Sequence, residues 1–268
     1  MKTRCLDTHQ ELEWSACLSC ALKPHHCDYN YALLKSIHDD QQRERSEGWH
    51  VSDIKGCLKR SYFSRLEEAP ADYPSEKMAM WQGSTIHAAI AHQGDEMLSE
   101  KHIEWTYGGI KLSGTFDAFY PQQGMLSDTK TTRWITMGNL PYADHAIQVQ
   151  IYANMMLHLG YPVSCAEIQY VDLSGPSKCK TCSQTLLPYD DDNLICPQCE
   201  KEFLRSKYHL GTVRHPVFIG DALHMDGWIT SRLKELNDSV NDKWPPSAEP
   251  SFLCRYCPFN TKCPEALK

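Results

Sequence analysis

The chain has 268 residues, 41% of them hydrophobic and 23% charged, with a formal net charge of −7 at pH 7. That length can bury one sizeable core and suits one elaborated domain or two small ones. No apolar run approaches the roughly 20 residues that a bilayer span needs, and Met1–Gln10 lacks the apolar segment of a signal peptide, so the expectation is a soluble, cytoplasmic protein with no membrane partner. The acidic balance excludes a uniformly basic surface, so any nucleic-acid contact must come from a local patch. Thirteen cysteines without a secretion signal read as metal ligands before disulfides.

In chain order, residues 1–50 are polar and irregular apart from a short helix near Tyr31–Ile37. Cys5, Cys17, Cys20 and Cys27 lie there with one close pair, and His9, His25 and His26 stand nearby. A zinc site and reduced free thiols are both open readings. Met78–Leu98 carries apolar residues at helical spacing. Ile103–Tyr107, Ile110–Tyr120 and Met125–Thr131 are β-prone runs separated by Gly108-Gly109 and by Pro121–Gly124, which predicts an antiparallel meander. A helix over Tyr142–Leu159, stopped by Gly160 and Pro162, precedes a strand over Ser164–Leu173. Cys165, inside that apolar strand, reads as a small buried side chain. After an insertion over 174–210, Thr212–Ile219 resumes β character. Ala222–Val240 then repeats apolar residues at three-to-four spacing, the pattern of a helix packed on a sheet.

Asp117 sits near the end of one β run and Asp128-Thr129-Lys130 on the next, where alternation puts Asp128 and Lys130 on one face. Phosphodiester hydrolysis requires such parts: acidic oxygens to hold Mg2+ or Mn2+, and a cation set against developing charge. His87, on the preceding helix, offers an imidazole to a transition metal, although a solitary His on an apolar helix is more simply a packed side chain. Gln148 and Tyr152, four apart on a helix, share a side and reach one object, either Lys130 or a phosphate. A core Tyr beside an exposed Gln is the plainer alternative.

Cys179-x2-Cys182-x13-Cys196-x2-Cys199 supplies the two knuckles of a tetrahedral zinc ribbon. Beside it, Lys178, Lys180, Lys201, Arg205 and Lys207 suit phosphate contacts or a solvated basic face. Cys254-x2-Cys257-x5-Cys263 gives three thiolates, one short of the four that hold a [4Fe–4S] cluster, and thiolates suit zinc as well as iron.

The ordered set of His87, Gly114-Thr115-Phe116-Asp117, Asp128-Thr129-Lys130-Thr131 and Gln148-x3-Tyr152 resembles the RecB-like branch of the PD-(D/E)XK nucleases. The resemblance runs from about Val51 to the C-terminus. Val51-Ser52-Asp53-Ile54, Cys57 and Arg60-Ser61-Tyr62-Phe63 resemble the opening of its iron–sulfur members, the AddB nuclease domain and the CRISPR-associated exonucleases of the fourth Cas family. Two departures are Phe116, where the written signature has Pro, and Asp128, where it has Glu.

This resemblance implies an α/β, restriction-endonuclease-like core: a central mixed sheet flanked by helices, with a zinc-ribbon insertion and a C-terminal iron–sulfur clasp. It divides the chain into an N-terminal extension (1–50) and a nuclease domain (51–268) holding the ribbon (174–210) and the iron–sulfur segment (244–268). Implied metal ligands are His87, Asp117, Asp128 and the carbonyl of Thr129, with Lys130 as the catalytic lysine and Gln148 and Tyr152 as the Q-x3-Y pair. Cys57 would complete the cluster begun by Cys254, Cys257 and Cys263.

The implied activity is an exonuclease on single-stranded DNA ends that uses Mg2+ or Mn2+, in a prokaryotic or phage-infected cytoplasm. DNA is the implied partner, with the ribbon free to contact DNA or another protein. Lys55, Lys59, Arg60 and Arg65 are candidates for gripping a strand, and Trp81, Trp105 and Trp134 for stacking on bases. A non-catalytic DNA-binding scaffold for recombination or replication, held together by its metals, is the competing reading. The intact acid and lysine set speaks against it.

Overall fold

A computed structural model of the chain describes residues 2–23, 27–42, 47–67, 71–91, 96–132, 140–173, 175, 177–190, 193–204 and 211–267. The first half runs β1 (Lys2–Arg4), β2 (Glu11–Glu13), α1 (Trp14–Cys20), α2 (Tyr31–Gln41), β3 (Trp49–His50), α3 (Val51–Ile54), α4 (Leu58–Leu66), α5 (Pro74–Ala91) and β4 (Leu98–Tyr107). The second runs β5 (Ile110–Tyr120), β6 (Met125–Thr132), α6 (Ala143–His158), β7 (Cys165–Asp172), β8 (Leu187–Pro188), β9 (Asn193–Ile195), β10 (Glu202–Leu204), β11 (Thr212–Val217) and α7 (Ala222–Asp242). These elements form two compact units, one of 49–56 and 91–234, the other of 1–48, 57–90 and 235–268. Among the described residues no helix is long and apolar enough to cross a membrane.

The first of these units is built on a mixed sheet in the order β11-β7-β6-β5-β3, with β4 also bonded to β5. The meander expected from the glycine and proline turns forms, because β4–β5 and β5–β6 are both antiparallel. Parallel pairing then joins β6 to β7 along Met125–Thr132, and β3 to β5 at Leu112–Ser113. Strand β5 is the hinge of the arrangement. One of its edges is taken by β4, while the other carries β3 at Leu112–Ser113 and β6 only at Ala118–Tyr120, so Gly114–Asp117 has no strand partner on that edge.

Helix α6 covers the sheet and is buried on nearly every side, with Val149 and Ile151–Met156 all enclosed. Each fully buried aliphatic side chain there contributes ~1.5–3 kcal/mol. The expected Gly stop is a two-bond cap: Tyr161 N–H donates to Met156 O at 2.9 Å and Gly160 N–H to Leu157 O at 3.0 Å, with Gly160 at φ 83°. Asn154 on α6 donates to the carbonyl of Ala222, which fixes the start of α7.

Three expectations need correction. Cys165 is exposed rather than buried, because Ala166, Ile168, Tyr170 and Asp172 take the inward phase of β7 and leave Cys165 on the other side. Residues 1–50 are not irregular: β1 and β2 form a hairpin, and Trp14, Ala21, Leu34 and Ile37 make a small core with Met78 and Trp81 against it. Too few apolar residues make that core for any periodicity to show. Helix α5 also ends at Ala91, short of the expected Leu98, which begins β4 instead.

The turn between β5 and β6 depends on Gly124 (φ 59°), where a Cβ would lie 2.6 Å from the Pro162 carbonyl and 2.5 Å from Ser164 Oγ. Gly124→Ala is therefore expected to cost about 1–3 kcal/mol in urea denaturation. The same change at Gly109 (φ 84°), which has open space where its Cβ would go, should cost less. Equal losses at the two positions would contradict the steric account.

Candidate active site and cysteine centres

The acids gather where β5 loses its partners. Register opposes Asp117 to Glu100 on one side, but the β4 ladder breaks there, between Ser99↔Ala118 and Lys101↔Phe116, with Glu100 in the left-handed region at φ 45°. On the other side the β6 ladder stops at Ala118↔Ser127, one step before Asp117 would meet Asp128. The freed backbone is satisfied by side chains instead, as buried amides require. Thr129 N–H donates to Asp117 Oδ2 at 2.6 Å, and Thr115 N–H donates to the Tyr152 hydroxyl.

Asp128 is 2% exposed, and Lys130 Nζ lies 2.5 Å from its Oδ2, so alternation along β6 does put the acid and the amine on one face. Neither Asp128 oxygen receives a well-directed hydrogen bond. Burial pushes its carboxyl up to about 6 and Asp117 adds to the rise, while Lys130 opposes both. A buried acid paired with one lysine and lacking any directed hydrogen bond, beside a second acid, has the donor chemistry of a hard divalent cation site.

Gln148 and Tyr152 share one side of α6, but the lysine that Gln148 meets is Lys55 rather than Lys130. Gln148 hydrogen-bonds the Tyr152 hydroxyl and accepts from Lys55 Nζ at 2.7 Å. Burial, then the charges of Asp128 and Asp117, raise the Tyr152 phenol well above its ordinary value, which keeps it a neutral hydroxyl beside the acids. Tyr152 packs so close to β5 that a Cβ at Gly114 would sit 2.7 Å from its ring, so only glycine leaves room.

Two neighbours escaped the sequence reading. Glu100 brings a carboxylate oxygen within 4.8 Å of one on Asp117. Its only sequence signal was one more acid between the expected helix and the first β-prone run. His145, on the first turn of α6, hydrogen-bonds Tyr170 at 3.1 Å. Its imidazole is pushed down to about 4 by burial, with Lys130 and Lys55 adding to the fall against Asp144, so it is neutral at pH 7. His87 lies half-buried on α5, outside the unit that carries the acids.

Of the strand-gripping candidates, Lys59 is buried and paired with Glu265 at 2.8 Å, which removes it from that role. Arg65 is bonded to the Gly48 carbonyl, while Arg60 is exposed. Trp105 stacks on His158 with centroids 4.9 Å apart, and Trp81 donates to Ser36. Trp134, Arg205 and Lys207 lie outside the described residues.

The insertion between β7 and β11 folds as a small sheet, β10-β9-β8, with Cys179, Cys182, Cys196 and Cys199 drawn within 4.8 Å of one another. That set could hold a metal ion. Backbone N–H groups of Thr181 and Cys182 point at Cys179 and lower its thiol to about 6, the direction that favours a metal-binding thiolate. In the other unit, Cys57 caps α4 and the C-terminal segment docks on that helix. Phe259 is buried with its ring 5.5 Å from Phe63, and Lys262 pairs with Glu67. Cys263 feels the charge of Lys59, two residues from Cys57, and Cys254 and Cys257 lie in the same C-terminal segment. Their sulfurs are spread more widely than those of the ribbon.

The Asp128 carboxyl binds its proton more tightly in the folded chain, at about 6 against an ordinary 3.8, so stability is lost as pH rises between those values. Asp128→Asn should therefore stabilise the chain at pH 7.5, without added divalent ions, by up to about 3 kcal/mol, and the gain should shrink towards pH 5. Urea denaturation at the two pH values checks this. A gain independent of pH would contradict it.

No protein-family model matches the chain, and no curated protein sequence matches it. Among solved structures, the crystal structure of SSO0001 is similar with a TM-score of 0.54 at 17% identity, covering 89% of this chain and 96% of that one. At that identity the likeness is one of fold. A phage-related exonuclease from Haemophilus somnus 129PT aligns over 91% of this chain and 96% of its own, at 15% identity and a TM-score of 0.29, too low to carry an argument.

Proposed function

We propose that the chain is a divalent-metal-dependent DNA nuclease of the RecB-like PD-(D/E)XK class, with a restriction-endonuclease-like core, acting as an exonuclease on single-stranded DNA ends. The observation that carries this reading is Asp128: a buried acid 2.5 Å from Lys130, beside Asp117, with neither oxygen satisfied by a directed hydrogen bond. Burying such a charge costs several kcal/mol, and a lysine alone does not satisfy four lone-pair positions.

Asp117, Asp128 and the Thr129 carbonyl would hold Mg2+ or Mn2+, and by the family resemblance His87 would add an imidazole, which suits Mn2+. A bound ion supplies Lewis acidity towards a phosphoryl oxygen and lowers the pKa of a water. Lys130 sets a positive charge beside the acids, where charge develops on the phosphate. Gln148 and Tyr152 are positioning residues: Gln148 aims Lys55 at the site, and Tyr152 braces Gln148 against β5. His145 feels the charges of the same lysines and stays neutral.

The cysteine centres would support this chemistry without taking part in it. In the proposal the ribbon holds zinc, and Lys178, Lys180 and Lys201 touch DNA phosphates or a protein partner. Cys57, Cys254, Cys257 and Cys263 hold a [4Fe–4S] cluster that ties the C-terminal segment to α4.

Two experiments test the proposal. DNA labelled at its 5′ or 3′ end, single- or double-stranded, should be degraded with Mg2+ or Mn2+, and Asp128→Ala or Lys130→Ala should slow this at least ~100-fold. Binding without cutting in either metal would favour the scaffold. Protein purified without oxygen should be brown and absorb near ~400 nm, and Cys57→Ser should bleach it. A colourless wild type that carries zinc at these cysteines would refute the cluster.

A further inference from the structure

The hairpin at the N-terminus repeats the backbone of the ribbon's two metal knuckles. In the ribbon, Cys179 N–H donates to Gln184 O at 2.7 Å, Ser183 N–H donates to Cys179 O at 2.8 Å, and Ser183 is left-handed at φ 61°. The second knuckle does the same: Cys196 N–H to Lys201 O at 3.0 Å, Glu200 N–H to Cys196 O at 2.9 Å, and Glu200 at φ 55°. Between β1 and β2, Cys5 N–H donates to Gln10 O at 2.9 Å, His9 N–H donates to Cys5 O at 3.0 Å, and His9 stands at φ 58°.

A left-handed residue that is not glycine is uncommon, so its recurrence four residues after a cysteine, three times with the same two bonds, marks one motif. The sulfur environment matches as well. Amides of Asp7 and Thr8 point at Cys5 as those of Thr181 and Cys182 point at Cys179.

This knuckle differs in one position. Where the ribbon has its second cysteine, at 182 or 199, the hairpin has Thr8, whose hydroxyl bonds Cys5. It therefore supplies one thiolate, and the others must come from elsewhere. The chain after β2 provides them: Cys17 and Cys20 are one turn apart on a common side of α1, and Cys27 follows. The four share one neighbourhood, since the sulfurs of Cys27, Cys20 and Cys5 are the charged neighbours that Cys17 feels, with Cys17 and Cys27 half-buried and Cys20 exposed. The hairpin histidine is otherwise engaged, with His9 Nδ1 bonded to Tyr73 Oη at 3.0 Å.

We propose that Cys5, Cys17, Cys20 and Cys27 form a second zinc site, in which a single-cysteine knuckle is completed by a cysteine pair on α1. The four sulfurs are more widely spread than those of the ribbon, and the ion draws them in. The energetic reason is local. Helix α1 has seven residues and no side-chain N-cap, and a core of four buried residues holds it to α2. Helices that short do not persist in water by themselves, and small cores commonly rely on a metal staple.

Mass spectrometry of the full chain after an iodoacetamide pulse gives a reading for each cysteine, with exposed Cys165 as the internal standard. With zinc bound, Cys5, Cys17, Cys20 and Cys27 should label at least ~10-fold more slowly than Cys165, because metal-held thiolates are shielded from alkylation. The difference should vanish once a chelator has removed the zinc. The Cys17→Ser/Cys20→Ser variant should lose one zinc per chain while the ribbon cysteines stay protected. Labelling at the Cys165 rate before chelation, or protection that zinc removal does not lift, overturns the site. The labelling of the unaltered chain decides the matter even if the variant fails to fold.

Discussion

Two carboxylates held at one point in a sheet repel each other, and this sheet tolerates them by giving up strand pairing where they stand. Between Leu112–Ser113, which pairs with β3, and Ala118–Tyr120, which pairs with β6, strand β5 has an unpaired edge at Gly114–Asp117. Backbone groups freed there cannot stay unbonded at this depth. They take side chains instead, with Thr115 N–H bonded to Tyr152 and Asp117 bonded to Thr129 N–H. The break in pairing and the site are thus one feature.

Packing fixes the rest around that break. Gly114 lets the Tyr152 ring come against β5, Tyr152 places Gln148, and Gln148 holds Lys55. Because α6 is enclosed on nearly every side, its register cannot slip without emptying the core. Electrostatics adds a balance. Burial and Asp117 favour the protonated form of Asp128 and Lys130 favours the charged form, so a divalent ion would shift the balance towards two carboxylates.

Much of this was legible in the sequence, for reasons that differ by element. Strands β4–β6 were marked by glycine and proline turns, and the end of α6 by Gly160, because turns and caps are local chemistry. Asp128 and Lys130 fell on one face through simple alternation, and Gln148 met Tyr152 through helical spacing. The splaying of β5 from β6 left no mark, since it depends on which strands compete for an edge. Glu100 and His145 were missed for the same reason: register and burial, not composition, bring Glu100 to Asp117 and His145 within reach of Lys130 and Lys55. The N-terminal hairpin was misread because its order comes from four buried residues and a knuckle whose second cysteine is Thr8.

The account rests on Asp117 and Asp128 acting as one cation site. Titration of Mn2+ into the intact chain, followed by the electron paramagnetic resonance signal of the free ion, reads that claim without any substrate. Saturable binding is expected in the wild type, and either Asp117→Asn or Asp128→Asn should remove it, while Asp144→Asn, at the start of α6, should not. Unchanged Mn2+ binding in both acid variants would contradict the account.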